Sequence, residues 1–233
     1  VTLSPEQRII VALDVPDLAS ALAICDRLPQ AIWFKVGLEL FISAGAEILP
    51  ALQQRGKKIF LDLKLHDIPH TVACACRSAV RYGVQFLSVH TMGGLAMLQS
   101  AQEATAGSAT QLLAVTVLTS LTAKELANEL RISLALTDYI LHLCANAYHA
   151  GITGVVCSPH EARLLRDHFG QKLTIVTPGV RPNWSGQGDQ ARTMTPAQAI
   201  TQGADYLVIG RPITHHPDPL EAWTKICQEV ANT

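Results

Sequence analysis

The 233-residue sequence is poor in charge. Asp, Glu, Lys and Arg make up 16% of it, and 18 basic residues against 19 acidic leave a formal net charge of −1. A chain so balanced carries no footprint for nucleic acid and no attraction to an anionic membrane. No apolar run approaches the ~20 residues that a bilayer span needs. The opening residues, VTLSPEQ, lack the basic-then-apolar layout of a secretory signal, so a cytoplasmic location is expected. C-x-x-C pairs are absent too. Of Cys25, Cys74, Cys76, Cys144, Cys157 and Cys227, only Cys74 and Cys76 are close, and their spacing suits neither a zinc knuckle nor a thioredoxin motif. They read as buried free thiols in a reducing cytosol. The nine histidines are scattered, and His215-His216 among prolines reads as an exposed loop.

What is present is apolar material in a regular order. Residues of the apolar class make up 48%, enough for a sizeable core, and the length fits one α/β barrel, which runs at roughly 250 residues. Eight short runs rich in Val and Ile stand at 8–14 (RIIVALD), 32–37 (IWFKVG), 58–64 (KIFLDLK), 86–91 (FLSVHT), 112–119 (LLAVTVLT), 154–158 (GVVCS), 173–179 (LTIVTPG) and 206–211 (YLVIGR). Gly, Pro and polar residues bound them, as expected of parallel strands buried on both faces.

The stretches between them predict helices, with apolar residues at three- and four-residue spacing over 18–28 and 38–54. Ser158 with Glu161 and Thr122 with Glu125 fit capping boxes, and Thr195-Pro196 sets a proline just inside a helix start. Strand and helix alternate without a linker, which favours one (β/α)8 TIM barrel over residues 1–233. A doubly wound sheet is the competitor, but the first turn, Asp14-Val15-Pro16-Asp17, has no G-x-G-x-x-G. Two connections are long, 120–134 and 180–193. Both follow strands, on the catalytic face of a barrel, and read as lids.

The scarce charges fall at strand ends: Asp14 on the first, Lys35 on the second, Asp62 and Lys64 on the third. Asp62 and Lys64 are two apart, so both side chains face the barrel interior. A buried ion network could serve only to tie strands together. Such networks contribute little net stability, because desolvation offsets most of the Coulomb gain. Placed where barrel enzymes do chemistry, they point to function. Asp67, before Ile68-Pro69, reads also as an N-cap for the helix that follows. After the seventh and eighth strands come Arg181 and Gly210-Arg211, where barrels commonly bind phosphate. Gly210 would admit an anion close to the backbone and Arg211 would grip it with two donors. The lesser alternative for Arg181 is an ordinary surface arginine.

Here the residues reach a family. Asp62-Leu63-Lys64-Leu65-His66-Asp67-Ile68-Pro69 resembles the D-x-K-x-x-D-I-P signature of the orotidine 5′-phosphate decarboxylases. Ala12-Leu13-Asp14, Phe34-Lys35-Val36-Gly37, Thr116-Val117-Leu118-Thr119-Ser120, Val176-Thr177-Pro178-Gly179 and Val208-Ile209-Gly210-Arg211 are similar to its other blocks, in family order. The resemblance spans nearly the whole chain and is closest to the bacterial form.

It implies removal of CO2 from orotidine 5′-monophosphate to give UMP, in pyrimidine biosynthesis, without cofactor or metal. It further implies that Asp14 and Lys35 bind the ribose hydroxyls, that Lys35 also holds Asp62, and that Asp62 faces the substrate carboxylate. Lys64 would deliver a proton to C6 of the pyrimidine. Asp67 and Thr71 would reach into the neighbouring subunit's site of a homodimer. Thr119 would lie against the pyrimidine, and Arg181, Gln190, Gly210 and Arg211 would contact the phosphate or close over it.

Two rivals stand beside this reading. Magnesium-dependent sugar-phosphate decarboxylases and aldolases of the same superfamily share a similar D-x-K-x-x-D motif. They need an acidic metal ligand on the second strand, where this chain has Lys35 near the strand's end. A non-catalytic phosphate- or nucleotide-binding barrel would have no need of a buried lysine beside two carboxylates.

Overall fold

The structure is a computed structural model and describes residues 3–185 and 193–233. The eight apolar runs form β1 (Ile9–Leu13), β2 (Trp33–Val36), β3 (Lys58–Leu65), β4 (Phe86–His90), β5 (Gln111–Val115), β6 (Gly154–Val156), β7 (Thr174–Thr177) and β8 (Tyr206–Ile209). They pair in parallel in chain order, and β8 returns to β1 to close the barrel, with helices in the intervening segments. No helix among the described residues is long and apolar enough to cross a membrane.

Alternation along each strand divides the side chains between two layers. Ile9, Val11, Leu13, Phe34, Ile59, Leu61 and Leu87 face the helices and are buried there. Ile10, Trp33, Phe60, Phe86, Leu113, Val176 and Val208 fill the barrel. Within that fill Trp33 stacks on Phe86 at 4.5 Å between centroids, and Tyr206 meets Phe86 edge-on at 5.2 Å. This aromatic plug closes the barrel from beneath, and burying each such ring contributes about 1.5–3 kcal/mol. At the base, buried Arg166 donates to the carbonyls of Gly170, Leu173 and Gly203 and to Asp205. One guanidinium thereby ties the entries of β7 and β8 together.

Two local expectations need correction. The run 38–54 is not one helix. It breaks into Leu38–Ala44, a 3-10 turn Gly45–Glu47 and Ile48–Gln53, because Gly45 takes a left-handed φ of 59° and ends the first segment. The fifth run stops pairing at Val115, and a turn closed by Leu121 N–H on Leu118 C=O holds Thr119. The connection 120–134 carries a short helix, Ala123–Asn128, at the start that Thr122 marks. Its capping box forms as the sequence predicts, with Glu125 accepting from Thr122 N–H at 2.8 Å, and Leu126 buries against the core. The box at Ser158 forms as well, and the helix expected at Thr195-Pro196 starts there, with an unforeseen box between Thr195 and Gln198.

Candidate active site

At the carboxyl ends of the strands, inward-facing residues change from apolar to charged within one strand. β1 leads from Ile10 and Ala12 to Asp14, β2 from Trp33 to Lys35, and β3 from Phe60 to Asp62 and Lys64. Above the aromatic plug opens a cavity of about 540 Å³. Asp14, Lys35, Asp62, Lys64 and Thr119 line it, together with Pro178, Gly179, Val180, Arg181, Gly210 and Arg211.

The charges form one connected chain. Lys35 Nζ lies 2.8 Å from Asp14 Oδ1 and 3.7 Å from Asp62 Oδ2. Lys64 Nζ donates to both oxygens of Asp62, at 3.0 and 2.9 Å. Lys35 and Asp62 are each 8% exposed, so these ions have given up most of their water. Their mutual attraction mainly offsets that desolvation. What the arrangement provides is an ammonium group held at a fixed place on the cavity floor.

The backbone there is not the regular strand that the spacing of Asp62 and Lys64 predicts. Leu61 pairs with Leu87 and Leu65 with Val89, so three residues of β3 face only Ser88 on β4. Lys64 absorbs the excess with a left-handed φ of 49°. For a residue with a Cβ that conformation costs roughly 1–3 kcal/mol and persists only where its surroundings impose it. Lys64 and Asp62 do share the interior, but through a bulge.

Ser88, which the motif reading passes over, is fully buried opposite this bulge. Its Oγ accepts from Lys64 N–H at 2.8 Å and donates to Asp62 Oδ1 at 2.9 Å. The available signal is a polar residue between inward-facing Phe86 and His90 in an apolar run. Burial, together with neighbouring His66 and Lys64, holds the His90 imidazole below its usual pKa. His90 Nδ1 accepts from Met92 N–H at 3.3 Å, and its ring stacks on His66 at 5.4 Å. His215, expected in an exposed loop, is exposed but also lines the cavity beside Arg211.

Asp67 and Thr71 do not line the cavity of their own chain, and both are exposed. Nor does Asp67 cap the helix Pro69–Arg81. Pro69 pushes the preceding residue into an extended conformation, so Ile68 occupies the cap position with ψ 151°. Asp67 Oδ1 accepts from Ile68 N–H at 2.6 Å, short of the positions that a cap serves. Gln190 lies outside the described residues.

Comparison with known proteins agrees with this geometry. The family model described as "Orotidine 5'-phosphate decarboxylase / HUMPS family" matches residues 7–226. A protein of Gloeothece citriformis named orotidine 5′-phosphate decarboxylase is 54% identical over 226 residues, 96% of this chain and 97% of that protein. One of the same name from Synechocystis is 52% identical over 98% of this chain and 100% of that protein. Among solved structures, orotidine 5′-phosphate decarboxylase from Lactobacillus acidophilus superposes with a TM-score of 0.85 at 38% identity, covering 96% of this chain and 98% of that one. The chain belongs to the orotidine 5′-phosphate decarboxylase / HUMPS family.

Proposed function

We propose that the chain removes CO2 from orotidine 5′-monophosphate to give UMP in pyrimidine biosynthesis, with Lys64 protonating C6 and no cofactor. Relatives named for this activity, at about half identity over nearly the full length, support the reaction. The observation that carries the mechanism is the Lys64 ammonium fixed within 3.0 Å of both Asp62 oxygens at the cavity floor.

The order of groups around the rim supports the placement of substrate. Arg181 follows β7, Gly210 and Arg211 follow β8, Asp14 follows β1, Lys35 lies on β2, and Asp62 and Lys64 lie on β3. That arc runs from anion-binding arginines through a Lys–Asp pair able to hold vicinal hydroxyls to the buried ion pair. A nucleotide presents phosphate, ribose and base in the same order. Gln190 and Arg181 would join the phosphate contacts, and Thr119 would lie against the pyrimidine.

In the reaction the bond between C6 and the carboxylate breaks, CO2 leaves, and the electron pair stays on C6. The Lys64 ammonium stabilises that developing charge and gives it a proton, then recovers one from solvent. Asp62 would stand beside the departing carboxylate, and its charge would favour the loss of CO2.

A homodimer completes the site in this reading, with Asp67 and Thr71 of one subunit reaching the other's cavity. Their exposure supports it, as do exposed Ile68, Met92, Leu95 and Leu118, which follow the adjacent strands β3, β4 and β5. Apolar side chains grouped this way mark an interaction surface. A cytoplasmic setting suits a chain whose cysteines are free thiols, five of them buried.

The test is a spectrophotometric assay with orotidine 5′-monophosphate, with and without EDTA, beside Lys64→Ala. Turnover indifferent to EDTA and abolished in the variant is expected. Turnover that EDTA stops would move the chain to the magnesium-using branch, and undiminished turnover in Lys64→Ala would remove the assigned proton donor.

A further inference from the structure

We infer that Ser88 is a positioning residue for the decarboxylation: its hydroxyl locks the β3 bulge so that Asp62 and Lys64 keep their places as the proton moves. The inference rests on the proposed role of Lys64 and adds a residue that the charged motif does not contain.

Three observations meet at this side chain. Ser88 is wholly buried. It is the single β4 residue facing Asp62, Leu63 and Lys64, in the gap between the pairs Leu61↔Leu87 and Leu65↔Val89. Its hydroxyl also makes two hydrogen bonds of opposite sense, accepting from Lys64 N–H and donating to Asp62 Oδ1.

The sense of the two bonds matters. A serine hydroxyl has one proton. With the Lys64 N–H directed at an oxygen lone pair, that proton is free to point at the Asp62 carboxylate, and each bond polarises the other. A bulge leaves the extra residue outside the regular ladder. The Ser88 hydroxyl supplies Lys64 N–H with the acceptor that the displaced ladder withholds, which helps to hold the left-handed φ of 49°. Backbone of Lys64 and side chain of Asp62 are thereby fixed to one atom.

The consequence appears during turnover. Once Lys64 has given its proton to C6, it no longer neutralises Asp62. Lys35 stands 3.7 Å from Asp62 Oδ2, and Oδ1 keeps the Ser88 hydroxyl. Ser88 therefore holds the carboxylate while the ammonium charge is absent and keeps the lysine stem aimed for reprotonation. Phosphate and ribose contacts lie elsewhere on the rim, so ground-state binding does not depend on Ser88.

Ser88→Ala and Ser88→Cys separate this role from simple packing. The cysteine keeps a side chain of similar shape but is a poor donor, and it serves if the alanine variant does not fold. Both are assayed beside wild type and Lys64→Ala, with binding of UMP and thermal melting measured on the same samples. An active wild type and an inactive Lys64→Ala establish the underlying reading independently. Expected for folded Ser88 variants is a fall in kcat of about 10- to 100-fold, with KM and the Kd for UMP within about twofold of wild type. A folded variant with kcat near wild type overturns the inference. So does a loss carried by KM and UMP binding in the same proportion, which would make Ser88 a general packing residue.

Discussion

Gly37 and Lys35 stand two residues apart at the end of β2, and a Cβ on Gly37 would lie 2.8 Å from Lys35 Nζ and 3.1 Å from Asp14 Oδ1. The glycine leaves room for the ion pair that the reading assigns to the ribose. Its φ of −92° is open to any residue, so space rather than backbone conformation demands glycine here.

Gly37→Ala should therefore fold and bind poorly. Displacing Lys35 from Asp14 should lower kcat/KM by about 10- to 100-fold, or about 1.4–2.8 kcal/mol of transition-state stabilisation. Steady-state kinetics beside thermal melting checks it. Wild-type kinetics would show that Lys35 has another rotamer equally competent.

Mixing two defective chains tests whether the site is shared. Asp67→Asn and Lys64→Ala homodimers should each lose about 100-fold or more in turnover. Refolded together in equal amounts, they should recover about a quarter of wild-type activity, because half of random dimers are mixed and each of those carries one intact site. If activity does not return in mixtures shown to exchange subunits, Asp67 serves the cavity of its own chain.

Arg211→Ala should weaken the grip on phosphate. Loss of one charge-assisted contact of about 1.5–3 kcal/mol corresponds to roughly a 10- to 150-fold lower kcat/KM for the nucleotide. With orotidine, which has no phosphate, the same substitution should change little. An equal loss on both substrates would move Arg211 away from the phosphate.

His90 gives a pH prediction of fixed sign. Burial lowers its pKa in the folded state below the ordinary 6.5, so the unfolded chain binds the proton more readily. This contribution to stability is fully present above 6.5 and is lost as pH falls through the folded value. Protonation would also end the acceptance of Met92 N–H by Nδ1. Melting temperatures from about pH 7.5 to about 5 should drop more steeply for wild type than for His90→Asn. Parallel slopes would show that His90 titrates as a solvent-exposed imidazole does.

Much of the site was legible because it is written in strand ends. Asp14, Lys35, Asp62 and Lys64 each end an apolar run, and alternation with a period of two carries an inward position on one strand to the next inward position. The capping boxes at Thr122 and Ser158 were legible for a similar reason, since each is a bond within four residues. The break at Gly45 was not, because apolar spacing over 38–54 continues across it and a single left-handed glycine decides the matter. Asp67 was misread as a cap because the effect of Pro69 on Ile68 outweighs the preference of aspartate for that position.

The sequence alone determined the number and order of strands, the helices between them and the strand end at which each charge stands, because these follow from local periodicity and chain connectivity. Tertiary structure decided that β8 closes on β1, that three residues of β3 share one partner on β4, and that Lys64 turns left-handed to meet Asp62. It also joined Ser88 to the ion pair, brought His215 to the cavity lining, and left Asp67 and Thr71 out of the lining of their own chain's cavity. Register between neighbouring strands is set by packing of both layers at once, and no run of residues along one strand contains it.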